Sequence, residues 1–211
     1  MTDFSQLIDG YRRFKSGHWA TQRARWETLA KGQDPKVMVI ACSDSRVDPT
    51  QIFDASPGEM FVVRNVANLV PPFETSTGYH GVSAALEFAV TQLEVPEILV
   101  MGHGACGGCK AALSQGFLDT KPGEGGFISD WISLLDKARE TVAAKHGTEG
   151  PDAARAMEEQ AVRVSLDNLR TFPWISEREA AGRLRLHGAY FAISDGNLNV
   201  LDPETDSFSP A

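Results

Sequence analysis

Three residues of the chain are typical zinc ligands, and each lies at or just after the end of an apolar run. Cys42 follows the run 37–41, and His103 and Cys106 follow the run 98–101. Thiolate and imidazole groups suit zinc, whereas magnesium and calcium prefer oxygen ligands. Three protein ligands leave the fourth tetrahedral position open, as in catalytic zinc sites. The sequence therefore predicts one catalytic zinc ion per chain. The His-x-x-Cys pair taken alone is also compatible with a buried histidine and a buried thiol.

A carboxylate and a guanidinium follow the first cysteine at a spacing of two and four residues. They are Asp44 and Arg46, in the segment Cys42-Ser43-Asp44-Ser45-Arg46. The planar fork of an arginine can hold a carboxylate in one orientation through paired, charged hydrogen bonds. The alternative is a surface ion pair in a turn, which contributes little. His103 and Cys106 supply further metal ligands after another apolar run. The catalytic interpretation of Asp44 and Arg46 is therefore favoured.

The order of the predicted elements places these residues at one edge of a sheet. Near-continuous apolar runs predict buried strands, and apolar residues at intervals of three and four predict helices. The pattern favours an α/β fold with a mainly parallel central β-sheet flanked by helices, an N-terminal helical arm and a late edge strand. Ligands of such sheets bind beyond the carboxyl ends of the strands, where Cys42 and His103 lie. The predicted strands are 37–41, 61–63 and 98–101, the helices 4–14, 18–30, 78–94, 127–145 and 152–169, and the closing hairpin 184–193 with 198–201.

Length and composition indicate one globular domain over residues 1–211, of which residues 1–32 form the helical arm. The 211 residues are 42% hydrophobic and 23% charged, which suffices for a substantial core. A net charge of −8 argues against nucleic acid as a partner. The first ten residues contain neither a signal-peptide pattern nor an apolar membrane span, so we expect a cytoplasmic protein without a membrane partner. Three cysteines, two of them close together, indicate reduced thiols.

The combined motifs resemble a β-class carbonic anhydrase. The likeness rests on Cys-x-Asp-x-Arg, His-x-x-Cys, the intervening Pro57-Gly58-Glu59 and the stretch 61–68, and it extends from about residue 33 to 113. It implies a zinc lyase that interconverts carbon dioxide and bicarbonate and assembles as a homodimer or a dimer-based higher oligomer. In that reaction a zinc-bound hydroxide attacks carbon dioxide. Asp44 would accept the hydroxide proton, and Arg46 would keep Asp44 ionised and oriented.

The resemblance also implies a small apolar substrate pocket. The matching positions are Gln33, Phe61, Val66, Phe88 and Gly107. Gln33 would offer a side-chain amide to a substrate oxygen, and Gly107 would offer its backbone N–H. The three apolar residues are equally explicable as members of the core.

Regulation is expected to differ from that of some bacterial members of the family. Those members have an allosteric bicarbonate site made by a tryptophan, an arginine and a tyrosine. Here Arg64 is present, but Val39 and Phe191 occupy the other two positions. We therefore expect that site to be missing. The stretches 70–73 and 81–90 resemble the plant-type branch instead.

Three alternatives remain open from the sequence. Cys106 and Cys109 form a Cys-x-x-Cys pair, which could be a redox module, although that interpretation gives no purpose to Cys42 or His103. The same zinc site could hydrolyse carbonyl sulfide or carbon disulfide, because related substrates need only modest changes of the pocket. Zinc binding without catalysis would require all metal positions to be filled, with Asp44 as a ligand.

His80 is a candidate carrier for the proton that the hydration reaction releases. The competing interpretation is an exposed histidine that takes no part in catalysis.

Overall fold

The computed structural model describes residues 3–211, which divide into two compact units. Residues 35–211 are built around one six-stranded sheet, whereas the unit before them is helical. The strands are β1 (Val37–Cys42), β2 (Met60–Asn65), β3 (Glu97–His103), β4 (Arg185–Phe191), β5 (Leu198–Asp202) and β6 (Ser207–Pro210). The helices are α1 (Phe4–Phe14), α2 (Arg23–Leu29), α3 (Pro49–Ile52), α4 (Gly81–Glu87), α5 (Gly107–Ser114), α6 (Gly126–Ile132), α7 (Asp136–His146), α8 (Pro151–Leu169) and α9 (Pro173–Ala180).

The sheet is parallel in its first four strands and antiparallel at one side. Its order is β2-β1-β3-β4-β5-β6. The first four strands pair in parallel, β4 pairs with β5 antiparallel, and β5 pairs with β6 antiparallel. The predicted α/β fold and closing hairpin are confirmed. The edge strand on the antiparallel side is β6, a short segment that the sequence pattern does not predict.

Strand β1 is covered by side chains on both faces of the sheet. Val39 and Ala41 lie in one apolar cluster, whereas Met38 and Ile40 lie in the other, and all four are fully buried. Successive strand residues point to opposite faces, so an uninterrupted apolar run is required where helices cover both sides. The prediction of a buried parallel strand is therefore confirmed.

Helix α8 packs closely on the sheet because two strand residues have no side chain. A Cβ on Gly102 of β3 would lie 2.7 Å from Val162 Cγ2, and a Cβ on Gly188 of β4 would lie 2.9 Å from Val162 Cγ1. Real side chains do not approach so closely without a shift of one partner. The two glycines thus bring α8 close to the strand end that carries His103.

The unit over residues 3–34 contains α1, a π-helical turn over Lys15–Trp19 and α2. Asp3 caps α1: its side chain accepts the backbone N–H of Gln6, and the Gln6 side chain accepts that of Asp3. The predicted helical stretches are confirmed, and their function as an arm stays a prediction. Within residues 3–211, every helix is too short or too polar to span a bilayer.

Candidate metal centre

The three predicted zinc ligands converge at the carboxyl end of the sheet. Cys42 is the last residue of β1 and His103 the last of β3, and these strands are parallel neighbours. Cys106 follows three residues later as the N-cap of α5. The two Sγ atoms are 4.0 Å apart. One ligand atom from each of the three residues lies within 4.8 Å of the others.

The His103 ring is oriented by its own loop. Its Nδ1 lies 2.9 Å from the backbone carbonyl oxygen of Gly104, so Nδ1 carries the proton. Its Nε2 is buried and has no hydrogen-bond partner among the described residues. The residue as a whole is 1% exposed. A buried acceptor nitrogen without a hydrogen-bond donor is expected where that nitrogen binds a metal ion.

Both ligand thiols are held protonated in the absence of a cation. The pKa of Cys42 is raised to about 12 by its hydrogen bond with Cys106 and by burial. The pKa of Cys106 is also raised to about 12, first by its hydrogen bond with Cys109. Burial is the largest single influence and lowers the pKa of the His103 imidazole, but the interactions with Cys42 and with nearby oxygen acceptors together outweigh burial and raise that pKa. A divalent cation would reverse this balance at the thiols, because it stabilises thiolates directly.

The dimensions of the cluster fit zinc. Tetrahedral coordination with Zn–S bonds of about 2.3 Å places two sulfur ligands ~3.8 Å apart. The observed separation of 4.0 Å is close to that value. Among residues 3–211, the cluster consists of two thiols and one imidazole nitrogen. A three-ligand zinc site is the best match to this donor set.

Asp44 and Arg46 form a bidentate pair beside the cluster. Arg46 Nε donates to Asp44 Oδ1 at 2.9 Å, and its terminal nitrogen Nη2 donates to Oδ2 at 2.6 Å. These hydrogen bonds are the largest cause of the low pKa of Asp44, which lies far below its usual range. Arg46 Nη2 also donates to the carbonyl oxygen of Ala105 at 3.0 Å, inside the loop between His103 and Cys106. The pair is therefore anchored to both halves of the metal site, unlike an isolated surface ion pair.

Arg64 at the end of β2 is occupied by protein acceptors. Its Nε donates to the carbonyl of Cys42 at 2.9 Å, and Nη2 donates to the carbonyl of Asp44 at 2.6 Å. Its Nη1 donates to the Asp48 carboxylate at 3.1 Å. The Arg64 side chain therefore stabilises the loop that follows Cys42, and its nitrogens donate to protein oxygens instead of to an external anion.

The predicted pocket residues occupy different parts of the fold. Val66 follows the strand partner of Cys42 and is 40% exposed, and Gly107 is the first residue of α5 with open space beside its Cα. Phe61 and Phe88 stack on each other with ring centroids 5.9 Å apart. Phe61 lies four residues before the strand partner of Cys42, so its own chain does not bring it to the cluster. Gln33 belongs to the N-terminal unit, and the pocket assignment of all five residues stays a prediction.

Sequence reasoning missed a buried carboxylate behind the cluster. Glu158 of α8 is 4% exposed, and its Oε1 accepts the backbone N–H of Cys106 at 3.0 Å. The available signal was its position on the apolar stripe of α8, next to Met157 and one turn before Val162. Cys109 is also buried, and it lies outside the three-residue metal cluster.

Comparisons with known proteins show which family the chain is similar to. A family model described as carbonic anhydrase matches residues 37–198. Beta carbonic anhydrase 3 of Arabidopsis thaliana is 36% identical over 196 residues, covering 92% of this chain and 75% of that protein. The solved β-carbonic anhydrase CcaA superposes with a TM-score of 0.92 at 32% identity, over all of both chains. A tetrameric β-carbonic anhydrase of Sordaria macrospora superposes with a TM-score of 0.79 at 29% identity, covering 94% of this chain and 96% of that one.

Proposed function

The chain belongs to the β-class carbonic anhydrases, and from that premise we propose that it interconverts carbon dioxide and bicarbonate at one zinc ion per chain. The observation that carries the proposal is the convergence of Cys42, His103 and Cys106, with the Asp44–Arg46 pair hydrogen-bonded into the same loop. Three ligands of the zinc type leave room for an exchangeable fourth. When bound, zinc would supply the Lewis acidity that makes a water molecule nucleophilic near neutral pH.

Asp44 supplies a fixed hydrogen-bond acceptor at this site. Its low pKa keeps the carboxylate ionised, and an ionised carboxylate can only accept hydrogen bonds. It would therefore accept a hydrogen bond from the O–H of the attacking oxygen in one orientation, which leaves a lone pair of that oxygen free to face the carbon of the substrate. Arg46 holds the carboxylate plane through both of its oxygens, which limits rotation of Asp44.

The substrate pocket is proposed to combine a polar and an apolar part. Gly107 is at the N-terminus of α5, where backbone N–H groups lack helical acceptors and can donate to a substrate oxygen. Val66 supplies an exposed apolar wall on the neighbouring loop. Gln33 is proposed to add an amide donor, as the family resemblance implies.

We further propose a homodimer or a dimer-based higher oligomer. The relatives from Sordaria macrospora are tetrameric. Phe88 is 45% exposed and Val66 is 40% exposed, and a partner protomer that covered them would remove this apolar surface from water. In β2, Phe61 lies four residues before the strand partner of Cys42, away from the metal cluster of its own protomer. In such an assembly Phe61, and Phe88 that stacks on it, would instead line the metal site of the partner protomer.

A cytoplasmic location is proposed from the chemistry of the ligands. The site uses two cysteines as thiolates, and all three cysteines of the chain are free. Reducing compartments preserve such thiols, whereas oxidising ones favour disulfides.

Stopped-flow hydration of carbon dioxide by the Asp44→Asn variant tests the proposed reaction. An amide cannot serve as an acceptor-only group, so we expect the turnover number to fall about 100-fold or more while zinc content is retained. Asp54→Asn is the matched control, because it makes the same chemical change at an exposed turn after α3. Unchanged turnover in Asp44→Asn would exclude the proposed part of Asp44.

A further inference from the structure

The loop that joins His103 to Cys106 contains a residue in an unfavourable conformation. Ala105 has a φ of 55°, in the left-handed region that disfavours residues with a Cβ. Residues of this kind keep such a conformation only where the surroundings impose it. The directions of the His103 and Cys106 side chains depend on this loop, so whatever holds it also positions two of the three zinc ligands.

Glu158 holds the loop from the side of α8. Its Oε1 accepts the backbone N–H of Cys106 at 3.0 Å, and its Oε2 accepts the Tyr190 hydroxyl at 2.9 Å. Burial raises the pKa of Glu158, and the two donors oppose that rise together with the charge of His103 and the backbone of Ala105. A buried carboxylate is costly, and its retention is explained when each oxygen has a donor.

Tyr190, the second partner of Glu158, is itself fixed. The Arg155 guanidinium lies 3.6 Å from the centroid of the Tyr190 ring, and Arg155 Nε donates to Glu159 at 2.5 Å. Tyr190 is 4% exposed and lies in strand β4 opposite Gly102, the residue that precedes His103 in β3. The Glu158 carboxylate is thus tied to the sheet at one oxygen and to the metal loop at the other.

The opposite side of the same loop is held by the catalytic pair. Arg46 Nη2 donates to the carbonyl of Ala105 at 3.0 Å. The peptide group between Ala105 and Cys106 is therefore held at both ends: its carbonyl accepts from Arg46, and its N–H donates to Glu158. A shift of this loop would move two zinc ligands and remove one acceptor of Arg46 together.

We propose that Glu158, anchored by Tyr190, is a positioning residue for the metal centre. It acts through the backbone N–H of Cys106, and both of its oxygens already have protein donors. It pre-forms the loop conformation in which His103 and Cys106 can share one ion. The inference rests on the zinc site of the proposed function, and it does not depend on which reaction the site catalyses.

The zinc-loaded chain of 211 residues is mixed with an excess of a chelating dye, and the rate of zinc release is measured. Loss of a hydrogen bond that orients a ligand typically weakens metal binding ~10–100-fold, so we expect Glu158→Ala to release zinc at least about tenfold faster than wild type. Glu158→Gln keeps an acceptor for the Cys106 N–H, so we expect it to restore most of the wild-type half-life. Asp167→Ala is the matched control, because it removes an exposed carboxylate from the same helix that pairs with Arg170 and has no contact with the metal loop or with Tyr190 among the described residues.

Tyr190→Phe covers the case in which Glu158→Ala does not fold. It removes the anchoring hydroxyl and leaves the bond to Cys106, so we expect a release rate between those of wild type and Glu158→Ala. Wild-type release from Glu158→Ala, or from Tyr190→Phe where that variant alone folds, would overturn the inference. So would equally fast release from Glu158→Ala and Glu158→Gln. A wild-type chain that binds no zinc would instead refute the proposed function.

Discussion

Zinc uptake by the metal-free protein should release both thiol protons. Cys42 and Cys106 each have a pKa raised to about 12, so both are protonated at pH 7.5. Zinc binds them as thiolates, which requires the release of two protons per ion. The pKa of His103 is also raised, and any proton on its Nε2 must leave as well before that nitrogen can bind the metal. The apparent affinity should therefore rise about 100-fold per pH unit where the imidazole is neutral and the thiols are protonated.

Calorimetric titration in two buffers of different ionisation enthalpy counts these protons. The buffer-dependent part of the heat, divided by the difference in ionisation enthalpy, gives the number released. Cys42→Ser should release one proton fewer or lose measurable binding, because serine supplies no thiolate. Cys109→Ser removes a buried thiol outside the metal cluster and should leave the count unchanged. A wild-type count below two, or a lower count in Cys109→Ser, would refute the ligand assignment.

Four further outcomes are expected in hydration assays. Arg46→Ala should lower turnover about tenfold or more at every pH from 6 to 8, because Asp44 stays ionised even at its ordinary pKa of 3.8 and loses orientation only; a defect that disappears as the pH rises would contradict this. Bicarbonate should not inhibit cooperatively, because the donors of Arg64 are directed at protein acceptors; a sigmoidal inhibition curve would show otherwise. Turnover should rise from neutral into alkaline pH. Two thiolate ligands would cancel the charge of the zinc ion, so water at the open position would lose its proton only at higher pH. If His80 carries the released proton, His80→Ala should be slow in weak buffer and be rescued by imidazole.

The metal ligands could be predicted because their signal is local. Cys42 and His103 each end an apolar run, and the carboxyl ends of neighbouring parallel strands share one edge of the sheet. Asp44 and Arg46 were likewise within five residues of a ligand. The additional bond from Arg46 to the carbonyl of Ala105 depends on the meeting of two loops, which residue types alone do not encode.

Features that depend on distant pairing were not predictable in the same way. Strand β6 has four residues including Pro210, and only its pairing with β5 distinguishes it from a polar tail. Helix α9 is short and mixes charged and apolar residues, so its periodicity is weak. Glu158 belonged to a predicted helix, but its acceptance of the Cys106 N–H links residues 52 positions apart.

The separation of Phe61 from the metal cluster has a similar origin. The sequence resemblance assigns Phe61 and Phe88 to a pocket without stating which protomer owns it. The strand register fixes Phe61 opposite Met38, far along β1 from Cys42. Pairing geometry, and not residue type, therefore decides where an apolar side chain can act.

Titration of the metal-free protein with zinc, with the initial rate of carbon dioxide hydration measured at each point, tests most directly whether one zinc ion per chain carries the activity. We expect the rate to rise linearly and to reach a plateau at about one zinc ion per chain, as a single three-ligand site requires. Chelation should abolish the rate, and added zinc should restore it. A fully zinc-loaded chain without hydration activity, or an equally active metal-free chain, would contradict the account.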